Sequence, residues 1–279
     1  MKKTFTILIA AAAFASGCGS MNMTSATSAG VKALQALTIS DAQIEQYVSD
    51  YIRQLDRENT IATGNDPYNV RLERIAGPIN NRDGINIKVY KTKDVNAFAV
   101  ADGSVRVYSG LMDIMSDEEV LGVIGHEIGH VKLKHTKEAF KNALFTSAAR
   151  DAVSSAGGWA TTLSSSVVGD LAETLSSSQY SQKQEREADD YGYEFLKAHG
   201  LNPWAMALSF EKLKQMEEQA GGAATGPVLQ LFSTHPELDE RISRMAKRAE
   251  KDGYPVPGAG SSTTTKTPSG STNSGKWSF

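Results

Sequence analysis

The first clear periodicity in the chain begins at Ile44, where apolar side chains start to recur every three or four positions. Ile44, Val48 and Ile52 fall on one face of this pattern, which predicts an amphipathic helix. A shorter helical pattern starts at Pro67, since proline is favoured at the first helical position, and it ends before the polar turn at 80–84. Each helix is expected to bury its apolar face.

Three short runs rich in valine, isoleucine and tyrosine follow, and they predict β-strands. The runs cover 87–90, 95–100 and 105–108. A turn sequence at 101–103, which ends in glycine, separates the second run from the third. These runs predict a small antiparallel sheet.

The longest helical pattern begins at Ser116 and continues through His135. Three acidic residues follow Ser116, where they complement the positive end of the helix dipole. Further helical patterns cover 182–199, 203–219 and 236–250. Residues 141–178 are rich in alanine, serine and glycine and predict helices of low hydrophobicity. A mobile segment and a helical hairpin without functional importance both fit that composition.

Together these patterns predict a mainly α-helical α+β domain over residues 41–250. The edge strand of its small antiparallel sheet is expected beside the long helix. From 251 to 279 the sequence is dominated by glycine, serine, threonine and proline, which predicts a disordered tail.

Composition narrows the classes of partner. Hydrophobic residues make up 40% of the chain and charged residues 22%, as in ordinary globular domains. The net charge of -3 provides no basic surface of the kind that binds nucleic acid. We therefore expect no nucleic-acid partner.

Residues 1–17 are predicted to be a signal peptide that is removed. Lys2 and Lys3 precede a short apolar run, and small residues then lead to Cys18, the single cysteine in the chain. The sequence Ala-Ser-Gly-Cys at 15–18 resembles the lipobox of bacterial lipoproteins, whose cysteine is acylated and becomes the mature N-terminus. The alternative is an ordinary signal peptide with an incidental cysteine.

Acylation of Cys18 implies a lipid anchor followed by a polar tether, residues 18–40. By resemblance to enterobacterial lipoproteins, glycine after the cysteine implies sorting to the bacterial outer membrane, with the domain facing the periplasm. Beyond the signal peptide no run of about 18 apolar residues follows, so the sequence predicts no transmembrane helix.

The candidate chemistry is concentrated in the long helix, where His126-Glu127-Ile128-Gly129-His130 forms an HExxH sequence. Residues four positions apart share one face of a helix, so both imidazoles can bind one zinc ion. Glu127 is rotated away from that face and is predicted to be the general base that activates a zinc-bound water. Satisfied core histidines are the alternative, but these three polar side chains would be costly to bury in so apolar a helix.

A catalytic zinc usually has three protein ligands, and the third is predicted to come from the next helical pattern. Glu185 and Asp189 are four positions apart there and share a face. Glu185 is the candidate third ligand, and Asp189 is the candidate acceptor that orients a histidine ligand. A solvated acidic face is the alternative. His135 is expected off the ligand face, at the C-terminal end of the long helix.

The HExxH sequence together with Glu185-x-x-x-Asp189 resembles the gluzincin peptidases of the HtpX and CAAX-prenyl-protease family. The stretch at 96–111 is similar to that family's edge strand and its lead-in to the zinc helix. His235-Pro236, with Arg241 six positions after the histidine, is similar to its C-terminal signature. The resemblance covers most of 41–250 and implies a zincin-type metallopeptidase domain with one zinc per chain.

The resemblance also implies roles for further residues. The edge strand is expected to hold an extended polypeptide substrate as an added strand, although an ordinary hairpin over the core fits as well. The residues of that strand are Asn96, Ala97, Phe98 and Ala99. His235 is expected near the metal or the substrate oxyanion, and Arg241 is expected to stabilise the tetrahedral intermediate. A plain helix start at His-Pro is the alternative.

The sequence therefore predicts a lipid-anchored zinc endopeptidase that hydrolyses internal peptide bonds of unfolded or misassembled cell-envelope proteins. An outer-membrane assembly factor or chaperone with secondary or latent protease activity remains open, acting with an outer-membrane protein or assembly machinery. A structural zinc that His235 closes as a fourth ligand also remains open, because structural sites usually have four protein ligands.

Overall fold

The computed structural model describes residues 40–143, 180–219, 235 and 237–257. The predicted signal peptide, Cys18, nearly all of the tether, most of 141–178 and most of the C-terminal tail lie outside these ranges.

The described chain consists of helices around one small sheet. Helix α1 (Asp41–Glu58) and helix α2 (Pro67–Ala76) precede strands β1 (Asn86–Tyr90), β2 (Ala97–Ala99) and β3 (Ser104–Tyr108). A short helix α3 (Ser109–Ile114), helix α4 (Asp117–Lys132) and helix α5 (residues 135–143) come next. Helices α6 (Gln182–Ala198), α7 (Trp204–Gln219) and α8 (Leu238–Lys251) complete the described fold. The prediction of a mainly helical α+β domain is confirmed.

The sheet is mixed, so the prediction of a wholly antiparallel sheet is wrong in that detail. The strand order is β1-β3-β2, with β3 parallel to β1 and antiparallel to β2. Successive strands do alternate in direction, but β3 inserts between the other two instead of adding to the outside. Val105 and Val107 on β3 are fully buried, because β3 has a neighbouring strand on each side. This order leaves β2 at an edge, where it packs against α4 as predicted.

Helix α4 begins where the sequence indicated. The Ser116 hydroxyl accepts a hydrogen bond from the Glu119 backbone N–H, and the Glu119 carboxylate accepts one from the Ser116 N–H, which forms a capping box. The helix ends at Lys132, earlier than predicted, because Lys134 adopts a left-handed conformation with φ of 65°. His135 therefore begins α5 and does not end α4.

Small residues bring α4 and α6 unusually close together. A Cβ atom on Gly129 would lie 2.9 Å from the Cβ of Tyr191 and 3.2 Å from the Cα of Ala188. On the facing helix, a Cβ on Gly192 would lie 3.1 Å from the backbone nitrogen of His126. Glycine at these positions lets the two backbones approach, which brings the HExxH sequence beside the acidic residues of α6.

Helix α1 packs outside the main core. It forms a second apolar cluster with α5, built from Ile44, Val48, Phe140 and Ala143. At its other end the Asp56 carboxylate accepts hydrogen bonds from Arg106 Nε at 2.8 Å and from the Tyr90 hydroxyl at 2.7 Å. These contacts fix α1 across the sheet and beside α5. Within the described ranges, none of the helices has the length and apolar character needed to span a bilayer.

Candidate active site

Four buried side chains converge between α4, α6 and the segment before α8. Nε2 of His126 lies 3.0 Å from Nε2 of His130, and the latter lies 3.4 Å from Oε1 of Glu185. His235 joins them, with its Nδ1 3.3 Å from His126 Nε2 and 2.9 Å from Glu185 Oε1. None of the four is more than 6% exposed.

This donor set fits a zinc ion. Three imidazole nitrogens and one carboxylate oxygen are ligands that zinc prefers, and bonds of about 2.0–2.1 Å place tetrahedral ligands roughly 3.3 Å apart. One ligand atom from each of the four residues lies within 4.8 Å of every other. Oε1 of Glu185 is the carboxylate oxygen that faces the imidazoles, at 2.9 Å from His235 Nδ1 and 3.4 Å from His130 Nε2.

Asp189 and Arg241 lie directly behind this donor set. Oδ1 of Asp189 is 3.0 Å from Nδ1 of His126, the nitrogen on the far side from the other ligands. Arg241 donates to the same carboxylate through Nε at 3.0 Å and Nη2 at 2.6 Å. Burial alone would raise the pKa of Asp189, but the Arg241 charge and the His126 contact outweigh it and lower the pKa to about 2. Asp189 therefore stays charged and fixes the imidazole of His126.

Arg241 also holds Glu185. Its Nη1 lies 2.7 Å from Glu185 Oε2, and the side chain is 3% exposed. Burial opposes ionisation of Glu185, but the charges of His235 and Arg241 lower its pKa well below the usual value. The guanidinium is thus engaged with two carboxylates. Its predicted action on the tetrahedral intermediate stays a prediction.

Glu127 has the environment of a general base. The carboxylate is 2% exposed, and its Oε1 has no hydrogen-bond partner among the described residues. The nearest basic group is Nε2 of His235, at 3.6 Å. Burial raises the pKa of Glu127, while His235 and His126 offset part of the increase. A carboxylate with a raised pKa is a stronger proton acceptor.

A cavity of about 300 Å³ opens beside Glu127, His235 and Tyr180. The predicted substrate-binding residues Asn96, Ala97, Phe98 and Ala99 form part of its wall. Helix α1 contributes Val48, Tyr51 and Leu55, and α5 contributes Thr136, Ala139 and Phe140. The cavity is therefore a largely apolar recess between the predicted edge strand and the predicted base.

Two residues at the site were not assigned to it from the sequence. Tyr180 stacks on His130 with ring centroids 3.8 Å apart, and no local motif marked it. His135 lies with its Nδ1 3.2 Å from Nδ1 of His130. The sequence placed His135 at a helix end, because nothing in the pattern signalled the left-handed turn at Lys134.

Comparisons with known proteins cover almost the whole described chain. The sequence profile of peptidase family M48 matches residues 71–249. The metalloprotease LoiP of Escherichia coli (strain K12) is 44% identical over 254 residues, which cover 90% of this chain and 98% of LoiP. The metalloprotease YcaL of the same organism is 40% identical over 256 residues, covering 89% of this chain and 98% of YcaL. The beta-barrel assembly-enhancing protease of the same organism is 29% identical over 222 residues, which cover 76% of this chain and 40% of that protein.

Proposed function

This chain belongs to peptidase family M48, and we propose that it is an endopeptidase that cleaves unfolded or misassembled proteins of the cell envelope. The resemblance to zinc peptidases inferred from the HExxH sequence is confirmed, and the protein is a metalloprotease with one zinc site. The observation that carries the proposal is the buried Glu127 carboxylate, which stands beside the donor set at the base of a cavity.

The chemistry divides between the metal and the protein. A bound zinc ion would supply Lewis-acid polarisation of a carbonyl and a more acidic water. His126, His130 and Glu185 would hold the ion, and Asp189 and Arg241 keep His126 and Glu185 oriented. Glu127 accepts the proton of the attacking water and returns it to the leaving amine.

The edge position of β2 supports an extended substrate. Among the described strands β2 has β3 as its single partner, so its other side can pair with an added strand, apart from the Ala99 N–H, which donates to the Glu127 carboxylate. Only an unfolded or locally unfolded segment can pair in this way. The apolar recess beside Glu127 then receives a side chain near the scissile bond, and backbone pairing leaves the remaining sequence little restricted.

Digestion of casein by the full-length protein tests the proposal. The wild type should digest casein and lose activity with a chelator, and Glu127→Gln should lower the rate by about 10²- to 10⁴-fold, since the base is removed. Glu118→Gln on the same helix, which lies outside the donor set, is the matched control. Each comparison is repeated with His235→Ala, so that a closed metal site does not mask the result. Equal digestion by Glu127→Gln and wild type contradicts the proposal.

The envelope role rests on the N-terminal sequence and on one relative. The lipobox-like sequence at 15–18 supports anchoring to the outer membrane with the domain in the periplasm. A relative named for enhancing beta-barrel assembly also supports the second candidate, an assembly factor whose protease activity is secondary. A Glu127→Gln variant that retains the full cellular role would favour the assembly factor over the protease.

A further inference from the structure

The outer nitrogen of His130 faces a pair of residues that the mechanism above does not use. Nε2 of His130 points toward His126 and Glu185, so its Nδ1 lies on the opposite side of the ring. There Nδ1 of His135 is 3.2 Å away, and Nε2 of His135 is 3.2 Å from Oε2 of Glu187. His135 is 4% exposed, whereas the Glu187 side chain is 42% exposed. The three side chains form a line from the donor set to the surface.

With a metal ion on Nε2 of His130, only one placement of protons satisfies every contact in this line. If His130 binds a metal through Nε2, its proton is on Nδ1 and must be donated. Nδ1 of His135 then accepts it, so the proton of neutral His135 is on Nε2, where the Glu187 carboxylate accepts it. The reverse arrangement would direct two N–H groups at each other across 3.2 Å.

We propose that His135 and Glu187 are positioning residues that hold His130 in the tautomer and orientation required for zinc binding. This inference rests on the zinc-dependent function proposed above. Asp189 orients His126 by accepting the proton of its Nδ1 directly. His135 would orient His130 in the same way, with an imidazole nitrogen as the acceptor in place of a carboxylate. The left-handed residue Lys134 makes the contact possible, because it turns His135 back toward the helix that carries His130.

Zinc affinity of the full-length protein, measured by chelator competition, tests the proposal. His135→Leu removes the acceptor and should weaken zinc binding about 10- to 100-fold. His135→Asn should restore affinity to within about threefold of wild type, because its amide oxygen can occupy the position of Nδ1. His199→Leu, a change in a histidine outside the donor set, is the matched control and should leave affinity unchanged.

Substitution of Glu187 provides an independent test, because this side chain is exposed and its variants are expected to fold. Glu187→Ala should weaken zinc binding, whereas Glu187→Gln should retain most of the affinity. In a protein that already carries His135→Asn, adding Glu187→Ala should not change the zinc affinity further. Glu194→Ala, seven positions along α6, is the control. In the cobalt-loaded protein, the visible absorption bands should shift in His135→Leu and return in His135→Asn.

Three outcomes would overturn the inference. The first is a zinc affinity of His135→Leu within about twofold of wild type. The second is a lower unfolding temperature of metal-free His135→Leu with unchanged zinc affinity, since that pattern marks a purely structural contact. The third is a zinc affinity of Glu187→Ala equal to that of wild type. This outcome decides the matter if His135→Leu does not fold. None of these readouts requires peptide cleavage. A protein that binds zinc but digests no casein, in the wild type and in His235→Ala, would therefore contradict the proposed function, while the zinc affinities would still support or overturn this inference.

Discussion

His235 determines how many positions around the metal are left for substrate and water. Its Nδ1 lies within 3.3 Å of donor atoms from both α4 and α6, so His235 could bind the same ion as a fourth ligand. Catalytic zinc sites usually leave one position open, whereas structural sites are closed by protein ligands. If His235 binds the ion, the site is closed, and we expect peptide hydrolysis to require His235 to move away.

Substitution of His235 tests this reading. We expect His235→Ala to raise the rate of casein digestion and to weaken zinc binding, because one ligand position is opened and one donor is lost. The measurement pairs a fluorescent casein assay with zinc titration, and His199→Ala serves as the control. A fall in activity with unchanged zinc affinity would instead assign His235 to the substrate oxyanion, as the sequence also allowed.

The residues that the sequence could predict are those fixed by local spacing or by a compact motif. Helical geometry alone places His126 and His130 on one face, and the Glu185-x-x-x-Asp189 pattern identified the face opposite them. Tyr180 and the contact of His135 depend on tertiary packing and on a left-handed backbone residue, neither of which leaves a mark in the hydrophobic pattern. Arg241 was identified by resemblance, but its pairing with two buried carboxylates required the structure.

The contact between α4 and α6 is the element on which the donor set depends. Gly129→Ala would place a methyl group 2.9 Å from the Cβ of Tyr191 and 3.2 Å from the α6 backbone, which must then shift. We expect a loss of about 1–3 kcal/mol in the free energy of unfolding, as for overpacked cores, together with weaker zinc binding. Urea unfolding and chelator competition measure the two effects.

Gly122→Ala on the same helix is the control for that prediction. Its new methyl group would meet the flexible side chain of Met206 at 3.2 Å, which can move aside at smaller cost. Equal losses in the two variants would show that helix packing as a whole, and not the separation of α4 and α6 at Gly129, limits stability.

The anchoring of α1 on the sheet is a second contact between elements that can be measured. Arg106 is 1% exposed and depends on Asp56 for its charge partner, with Nη2 at 3.0 Å in addition to Nε. Burial opposes ionisation of Asp56, but hydrogen bonds from Arg106, Lys88 and Tyr90 lower its pKa to about 2. The pair is expected to contribute to stability wherever Asp56 is charged.

We expect Asp56→Asn to lower the free energy of unfolding at neutral pH by roughly 1.5–3 kcal/mol. Because the pKa in the folded protein is lower than in the unfolded chain, the contribution is complete above about pH 4 and is lost as the pH falls toward 2. Urea unfolding of both proteins across this range measures the difference. Asp50→Asn, an exposed position on α1, is the control. A difference that stays constant down to pH 2 would contradict this account.

The positions of the strands could be predicted from the sequence, but their order in the sheet could not. The three runs rich in valine, isoleucine and tyrosine located the strands, and the glycine turn located the hairpin between β2 and β3. β3 lies in the centre of the sheet, and its side chains are buried on both faces. Which strand takes this central position depends on how the surrounding helices pack against the sheet. Local sequence carries little of this information.

At the scale of the whole molecule, the N-terminal sequence and the cavity are connected through α1. The predicted tether leads directly into α1, whose side chains form one wall of the recess beside Glu127. A tether of residues 18–40 can extend at most about 80 Å. An anchored form would therefore act on substrates near the membrane surface.

Replacing Cys18 tests the anchor. We expect the wild type to sediment with outer membranes and to incorporate labelled fatty acid, and Cys18→Ser to be recovered in the soluble periplasmic fraction without the label. Casein digestion should be the same for both, because the substitution lies outside the domain. Membrane association that persists in Cys18→Ser would refute acylation as the means of attachment.

The buried carboxylates impose a condition of electroneutrality on the interior. Glu127, Glu185 and Asp189 are each at most 2% exposed, and Arg241 is the single buried guanidinium among them. When the imidazoles are neutral, as metal binding requires, three negative charges face one positive charge, and a divalent cation brings the balance to zero. A protein deprived of its ion must take up protons to restore this balance, or admit water that solvates the excess negative charge. Metal loading and the integrity of the fold are therefore thermodynamically linked.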